Sequence, residues 1–340
     1  MNARQRGVAL LTALILVAIA AIVATAIEWQ SQLSTRRAVA VFTVAQSFAL
    51  AEGAEALAGY ALRNSRKNNP QLTAPNQDWA APYGPVEIEA GAVLEASLED
   101  QAGKFNLNSV VMAAGAGGAQ PGAGGAQPGA GDAAALAAGM NAPLVENDTA
   151  VQQFEALLAA LNIDTSYATR LVDWIDTDNQ PTFPGGGEDS FYMSQTPPHR
   201  VPNMPLTSIS ELLAMGMDRA SYEKLKPFVT ALPPDTKLNI CTAPGEVLDA
   251  MSGSRSYAID PKEMVAQRAQ FSCYPTQQAF LDGVPANWKA YVSSHIDTRS
   301  SYFRLRTWIT IGTTRFTLYS LIRQDQSGQI RPILRTFGTE

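Results

Sequence analysis

One short stretch of the sequence concentrates acidic side chains. Asp173, Asp176, Asp178, Glu188 and Asp189 place five carboxylates within seventeen residues, with prolines and glycines between them. Like charges confined to one loop repel each other unless a cation neutralises them. Carboxylate oxygens with no Cys or His among them suit Ca2+, which takes about six to eight oxygen ligands. The stretch is therefore a candidate calcium loop.

The spacing of these carboxylates departs from that of an EF-hand. The loop begins like one, but Pro181 occupies the position of the glycine and Gly187 stands where the bidentate glutamate belongs. We therefore predict an irregular site, with candidate ligands Asp173, Asp176, Asp178, Gln180, Glu188 and Asp189. From the residues alone, a solvated acidic turn without a metal is the alternative.

Enzymatic chemistry is not indicated. Two of these carboxylates could form the acid/base pair of a glycosidase, but the surrounding sequence does not suggest a substrate groove with aromatic platforms. His199 and His295 are isolated from each other and from the cysteines, so neither a zinc site nor a hydrolase triad is suggested. We predict a protein that is not an enzyme.

The elements that must hold the acidic stretch begin with an apolar N-terminal helix. Two arginines and Gly7 precede an apolar run from Val8 to Ile27, which is interrupted only by two threonines. At ~1.5 Å per residue this run spans ~30 Å, enough to cross a bilayer. The small-residue junction Gly7-Val8 lies before the run, whereas a signal peptide is cut after it. An ordinary signal-anchor helix is the alternative, and the arginines keep the short end cytoplasmic in either case.

Beyond the membrane the pattern predicts a stalk and a small sheet. No proline or turn cluster interrupts the helix before residues 68–70, and apolar residues from Val41 to Ala61 recur at steps of three and four. We expect one helix over 8–66 whose second half supports a folded head. Alternating apolar residues predict a hairpin over 86–98 and a three-stranded antiparallel meander from residue 302.

A helical block lies between these strands. Two pairs of short helices are predicted, with turns at 162–164 and 216–218, so the unit repeats after 54 residues. The pairs resemble helix-hairpin-helix or SAM-like modules, some of which bind DNA. Asp164 and Asp218 would repel phosphate, and the chain has a formal net charge of -6, so contact with protein is favoured over nucleic acid.

Two further features belong to the same block. Residues 113–139 repeat Gly, Ala and Pro with almost no bulky apolar side chain, which predicts a flexible loop. Cys241 and Cys273 are the only cysteines. In an oxidising compartment such a pair forms a disulfide, and two buried free thiols are the alternative.

The whole chain resembles the K-type minor pseudopilins of type II secretion, the general secretion pathway protein K family. Four features carry the resemblance: the leader with Thr12, the Gly-Lys-Phe-Asn-Leu-Asn run at 103–108, the acidic stretch 173–192, and a helical insertion before the closing strands. The long Gly/Ala/Pro repeat departs from the family but leaves its core intact. A minor pilin of a type IV pilus, for adhesion or DNA uptake, is the second hypothesis.

The resemblance implies an α+β fold with a pilin-like helix, a small antiparallel sheet and an inserted α-helical domain. It divides the chain into a leader 1–7 cut between Gly7 and Val8, a helix 8–66 with transmembrane segment 8–27, a head formed by 67–104 and 298–340, and the insertion 105–297. It further implies calcium in the acidic stretch, an inner-membrane anchor and a periplasmic head. Its partners would be the I-type, J-type and H-type minor pseudopilins, the major pseudopilin, the prepilin peptidase and the inner-membrane secretion platform.

Thr12 points to a place at the pseudopilus tip. After cleavage it is the fifth residue, where other pilin-like subunits carry a glutamate that pairs with the N-terminal amine of a neighbouring subunit. A buried carboxylate without a partner is unfavourable, and a threonine hydroxyl can instead bond to its own helix backbone. A subunit with no neighbour above it does not need the glutamate.

Overall fold

The computed structural model describes residues 3–89, 91–114, 143–252, 265–266, 268, 272–274, 276–325 and 327–338. Its helices are α1 Ala3–Asn68, α2 Asp148–Ala160, α3 Ser166–Ile175, α4 Asp189–Tyr192, α5 Glu211–Ala214, α6 Arg219–Leu225, α7 Gly245–Ala250, α8 Gln277–Asp282 and α9 Ala286–His295. Its strands are β1 Tyr83–Glu89, β2 Ala92–Asp100, β3 Phe105–Asn106, β4 Val111–Ala113, β5 Leu144–Glu146, β6 Val229–Thr230, β7 Leu238–Asn239, β8 Ile296–Asp297, β9 Tyr302–Ile311, β10 Thr314–Gln324 and β11 Ile330–Phe337. The loop predicted at 113–139 lies outside the described residues from position 115 onward.

Helix α1 is a stalk that is free at one end and packed at the other. Its apolar part reaches a mean hydropathy of 2.8 over 18 residues with none of that window buried, so it is long and apolar enough to cross a membrane. Ser47 is its first buried residue, followed by the buried stripe Ala51, Ala54, Ala58 and Leu62. The single helix is confirmed, but Val41 and Val44 do not belong to the buried stripe, because they lie below the level at which the sheet begins.

The sheet has five antiparallel strands in the order β1-β2-β9-β10-β11. β2 and β9 are direct neighbours, paired from Ala92↔Ile311 to Asp100↔Phe303. The chain nevertheless leaves the sheet after β2 and returns only at β9. The prediction of a helical insertion within a small antiparallel sheet is therefore confirmed.

The stalk packs on one face of this sheet. Small alanines let α1 approach closely, and two apolar clusters fill the contact. Within it, Glu55 is 8% exposed, accepts a hydrogen bond from Ser320 Oγ at 2.5 Å and pairs with Arg335 at 2.6 Å. A buried acid with both a hydroxyl and a guanidinium partner fixes the register of α1 on β10 and β11.

The insertion has a core of its own in which the two predicted helix pairs are present. Asn162 and Gly216 have φ of 51° and 88°, and each ends a helix in the left-handed conformation. Ile163 N donates to Leu158 O at 2.8 Å, and Met217 N donates to Leu212 O at 3.0 Å. The two turns are therefore geometrically equivalent and stand 54 residues apart, as the sequence repeat predicts.

A buried carboxylate joins the insertion to the sheet. Asp100, the last residue of β2, accepts hydrogen bonds from Asn239 Nδ2 at 3.0 Å and from Ala102 N at 2.9 Å. The hydroxyls of Thr242 and Ser300 each donate to its Oδ2 at 2.5 Å. Burial raises the pKa of Asp100, and these four donors oppose that rise. The chain just before the insertion, residues 239–242 within it and the chain just after it are thus tied to one side chain.

Candidate metal centre

The acidic stretch begins where helix α3 ends. α3 is held by its buried face, and Asp176 caps its C-terminus with an amide that donates to Val172 O at 2.8 Å. Asp176 has extended backbone, which directs the chain into the loop 177–188. That loop returns to the same place, because α4 begins at Asp189 directly after Glu188. The helix end and the returning loop therefore bring distant carboxylates together.

Three of the six predicted ligands converge. Asp176, Asp178 and Glu188 each offer one oxygen, and these oxygens all lie within 4.8 Å of one another. Asp176 and Glu188 are 4% and 3% exposed, whereas Asp178 lies on the surface. The arrangement is a half-open cluster with two buried carboxylates and one exposed carboxylate.

The buried oxygens of this cluster lack hydrogen-bond partners among the described residues. They are Oδ1 of Asp176 and both carboxylate oxygens of Glu188. Desolvation, followed by repulsion from neighbouring carboxylates, raises the pKa of Asp176 and the pKa of Glu188 to about 7. Buried carboxylates without partners are unfavourable, so the cluster in itself destabilises the fold.

Asp173, in the last turn of α3, holds the acidic loop in place. Its two oxygens accept the amide of Thr182 at 2.9 and 3.2 Å. Gly186 closes a turn by donating to Thr182 O at 2.9 Å, and a Cβ on Gly186 would stand 2.2 Å from Oδ2 of Asp173. Only glycine allows this approach. Asp173 therefore shapes the loop, and burial raises its pKa despite the hydrogen bonds from Thr182.

The remaining predicted ligands lie outside the group of three. The backbone amide of Gln180 donates to Asp178 Oδ1 at 2.8 Å, which orients that carboxylate. Asp189 accepts from Val201 N at 3.0 Å, and its other oxygen is 3.7 Å from Arg200. Both residues thus hold the loop in shape, and the carboxylate of Asp189 lies outside the group formed by Asp176, Asp178 and Glu188.

Glu146 is an acidic neighbour that the sequence analysis missed. It lies in β5, and its charge contributes to the raised pKa of Asp176. Its own pKa is raised by burial and then by repulsion from Asp148, Asp173 and Glu155. β5 reaches the cluster because Thr177 N donates to Leu144 O at 3.4 Å. No local spacing could have indicated this contact, since about thirty residues separate Glu146 from Asp176.

These residues fit a hard divalent cation. The donors are carboxylate oxygens, several of them unsatisfied, and the cluster holds more negative charge than one site can carry unassisted. Asp176, Asp178 and Glu188 would bind the ion directly, and its charge would offset their mutual repulsion. No Cys or His joins the group within the described residues, which favours calcium over zinc.

The comparisons with known proteins agree with this architecture. A family model described as type II secretion system (T2SS), protein K matches residues 103–234. Type II secretion system protein K of Pseudomonas aeruginosa is 30% identical, and the alignment covers 99% of this chain and 94% of that protein. The chain belongs to the type II secretion system protein K family. The corresponding protein of Aeromonas hydrophila is 28% identical over 98% of both chains.

A solved structure supports the same assignment. It is a chain of the GspK-GspI-GspJ complex from the enterotoxigenic Escherichia coli type 2 secretion system, with a TM-score of 0.69 and 26% identity. The match covers 89% of this chain and 100% of that chain. The protein is thus a minor pseudopilin of type II secretion, a structural subunit. Its exposed apolar helix fits a membrane-anchored subunit with a periplasmic head.

The predicted cysteine pair is also present. Cys241 and Cys273 form a disulfide with their Cα atoms 4.5 Å apart. Both residues are buried in the core of the insertion. The bridge ties the strand-proximal part of the insertion to the segment that precedes α8, and the alternative of two free thiols is wrong.

Proposed function

We propose that this protein is the tip subunit of a type II secretion pseudopilus, a non-enzymatic cap that assembles with I-type and J-type minor subunits. The observation that carries the proposal is the position along α1, counted from its membrane end, at which the insertion leaves the sheet. About three-quarters of the way along α1, Ala51 and Ala54 pack against Leu94 and Ile309. Further along α1, Leu62 packs against Phe303.

The ends of the strands that flank the insertion therefore lie at the membrane-distal end of the stalk. The chain leaves the sheet for the insertion after Asp100 and returns to it at Tyr302. Along the paired strands, both residues lie beyond Leu305, on the side away from the membrane. The insertion therefore begins and ends at strand ends that lie beside the distal end of α1 and not lower on the stalk. A subunit within the fibre must leave that end free for the next subunit. This head therefore suits the subunit at the tip, beyond which no further subunit is added.

Thr12 supports the same position. A carboxylate within an apolar bundle of helices requires a positive partner, and this chain carries a threonine at the corresponding place. The relative from enterotoxigenic Escherichia coli was solved with GspI and GspJ, which are the partner classes we propose. The short N-terminal end would be cytoplasmic, and segment 8–27 would lie in the inner membrane. The prepilin peptidase, the H-type and major pseudopilins and the secretion platform complete the proposed partners.

The calcium site is proposed as a structural element of the cap. A cation between Asp176, Asp178 and Glu188 would hold the loop 177–188 against the end of α3. This would stabilise the helical insertion without any chemical step. The equivalent turns at Asn162 and Gly216 further suggest two SAM-like or helix-hairpin-helix-like units that serve protein contact.

Cross-linking tests the position. Cysteine pairs engineered between the head of the full chain and the I-type and J-type subunits should form one species that contains one copy of each. Assembled fibres should contain about one copy of this protein, found at one end. A matched pair placed between two copies of this chain should not cross-link. Cross-links at regular intervals along the shaft would overturn the proposal.

A further inference from the structure

The last three strands carry an unusual charge pattern. β9, β10 and β11 contain six arginines and neither lysine nor any acidic residue, although the whole chain has a net charge of -6. The six are Arg304, Arg306, Arg315, Arg323, Arg331 and Arg335. Arg335 is turned toward α1, where it pairs with Glu55. The side chains of the other five arginines do not point toward α1.

Strand alternation places these five arginines on the face opposite the stalk. Phe303, Leu305 and Ile309 are buried toward α1, so Arg304, Arg306 and Trp308 between them face outward. The same alternation on β10 turns Leu318 and Ile322 inward and Arg315, Tyr319 and Arg323 outward. Arg331 stands directly opposite Arg323 and shares its face. We call this surface the arginine face; its residues are Arg304, Arg306, Trp308, Arg315, Thr317, Tyr319, Leu321, Arg323 and Arg331.

Aromatic rings hold several of these guanidinium groups. Arg315 lies 5.2 Å above the Trp308 ring, and Arg306 lies 5.6 Å from the same ring and 5.3 Å from Tyr319. Arg323 lies 6.0 Å from Tyr302. Stacking engages the flat side of a guanidinium and leaves its N–H groups directed at acceptors in the plane. The face thus presents oriented donors whose geometry matches carboxylates.

The pattern is unfavourable for the isolated molecule. Like charges directly opposite each other on neighbouring strands destabilise a sheet, and Arg323↔Arg331 is such a pair. On the side of β2, Glu99 stands directly opposite Arg304 and lies 2.8 Å from Lys104. The arginines of β9 therefore have an acidic strand beside them, and Arg315, Arg323 and Arg331 lie farther from it. An anionic partner would offset the repulsion, so the face complements negative charge.

The distance of the arginine face from the membrane distinguishes between two anionic partners, lipid headgroups and protein carboxylates. The first contact between stalk and sheet is Phe48 with Phe337, 5.9 Å between ring centroids. About twenty residues of helix separate Phe48 from Ile27, which places the sheet ~30 Å beyond the proposed membrane segment. Lipid headgroups are out of reach at that distance. We propose that the arginine face is a docking surface for an acidic segment of a partner protein, bound through its carboxylates.

Binding of a fluorescent deca-glutamate peptide to the full chain in neutral detergent tests the proposal. The wild-type chain should bind it with an affinity that falls as salt rises. Arg315→Glu with Arg323→Glu should weaken binding about tenfold, since attraction becomes repulsion at two sites. Arg219→Glu with Lys289→Glu, an equal charge change on the insertion, should bind as the wild type does.

A second variant guards against loss of folding. Thr317→Glu adds one carboxylate to the arginine face, removes no arginine and should also weaken binding while the melting temperature is kept. Equal affinity in the wild type, the double reversal and Thr317→Glu would overturn the proposal. So would tighter binding to phosphatidylglycerol than to neutral phosphatidylcholine vesicles that the double reversal abolishes, in a chain that ignores the peptide, because the face would then recognise lipid.

Discussion

At the level of single residues, the carboxyl groups of Asp176 and Glu188 are buried, and three of their four oxygens have no hydrogen-bond partner in the part of the chain that the structure describes. Such groups persist in a fold only when something else compensates them. Glu55 and Asp100 show the contrast, since each is buried with several donors. This contrast supports our proposal that the acidic loop binds a ligand that brings positive charge.

Calcium should stabilise the full chain through these two residues. A ligand that binds only the folded state adds RT ln(1 + [L]/Kd), ~2.7 kcal/mol at a hundredfold excess over Kd. Thermal unfolding in detergent should therefore shift upward by several degrees with calcium relative to chelator. Asp176→Asn and Glu188→Gln should abolish the shift, and the matched control Asp235→Asn should keep it. Equal melting of the wild type in calcium and in chelator would refute the site.

The same residues predict how stability depends on pH without calcium. The pKa of Asp176 and the pKa of Glu188 are raised to about 7 in the folded chain, from 3.8 and 4.5. Between these limits the folded state binds more protons than the unfolded state, so the free energy of unfolding falls as pH rises. In chelator, the free energy of unfolding of Glu188→Gln should therefore rise relative to that of the wild type between pH 5 and pH 8. Calcium should remove that gain, and a gain that calcium leaves intact would contradict the assignment.

Gly7 carries a prediction about processing. If the resemblance of the leader holds, the mature chain begins at Val8, and intact-mass spectrometry of the membrane fraction should show it. Gly7→Val should leave the full chain uncut. Gly53→Ala, a change in the same helix where a Cβ meets nothing within 4 Å, should be processed normally. A wild-type chain that still begins at Met1 would argue for an ordinary signal anchor.

At the level of elements, the two helical pairs show how one turn geometry is reached with different residues. Asn162 and Gly216 occupy equivalent left-handed positions, and the hydroxyl of Tyr167 donates to Gly216 O at 3.2 Å. Glycine adopts this conformation without steric strain, and asparagine is the side chain that tolerates it best. The hairpins are thereby fixed locally and linked to each other.

Substituting these two residues should have unequal effects on stability. Gly216→Ala should destabilise the chain by about 1 kcal/mol, because its φ of 88° is unfavourable for alanine although the Cβ meets no neighbour. Asn162→Gly should remain within about 0.5 kcal/mol of the wild type, since it relieves strain but loosens the unfolded chain. Thermal unfolding in calcium measures both. A neutral Gly216→Ala would show that the turn is not held in this conformation.

At the level of the whole molecule, the sheet is where the stalk and the insertion meet. One face buries the alanines of α1, and the strand ends at Asp100 and Tyr302 carry the insertion beyond the stalk. The opposite face is left to the arginines. The membrane anchoring, capping and docking that we propose would therefore use separate surfaces.

Loss of the protein should change the number or length of pseudopili without changing the shaft. A cap acts once per fibre, whereas a shaft subunit is needed at every step. Electron microscopy of fibres from a strain that lacks the protein measures this. Thr12→Glu should lower incorporation, because a carboxylate at the tip has no amine above it to pair with. Shafts of altered diameter or twist would contradict a role confined to the tip.

The local features could be predicted from the order of the amino acids. The uninterrupted helix, the 54-residue repeat, the hairpin and the meander each depend on periodicity or turn chemistry over a few residues. Asp176, Asp178 and Glu188 were predicted for the same reason, since excess like charge in one short loop is visible without a fold. The cysteine pair followed from the compartment and the residue count.

Which groups meet across long separations became visible only in the folded chain. The fold brings Glu146 close to the acidic cluster, gives Asp173 and Asp189 backbone amides to accept, and leaves Val41 and Val44 exposed below the sheet. It also put five arginines on one face, a result of strand alternation combined with the side on which α1 packs. Such choices depend on contacts between elements far apart in the chain, and no local pattern encodes them.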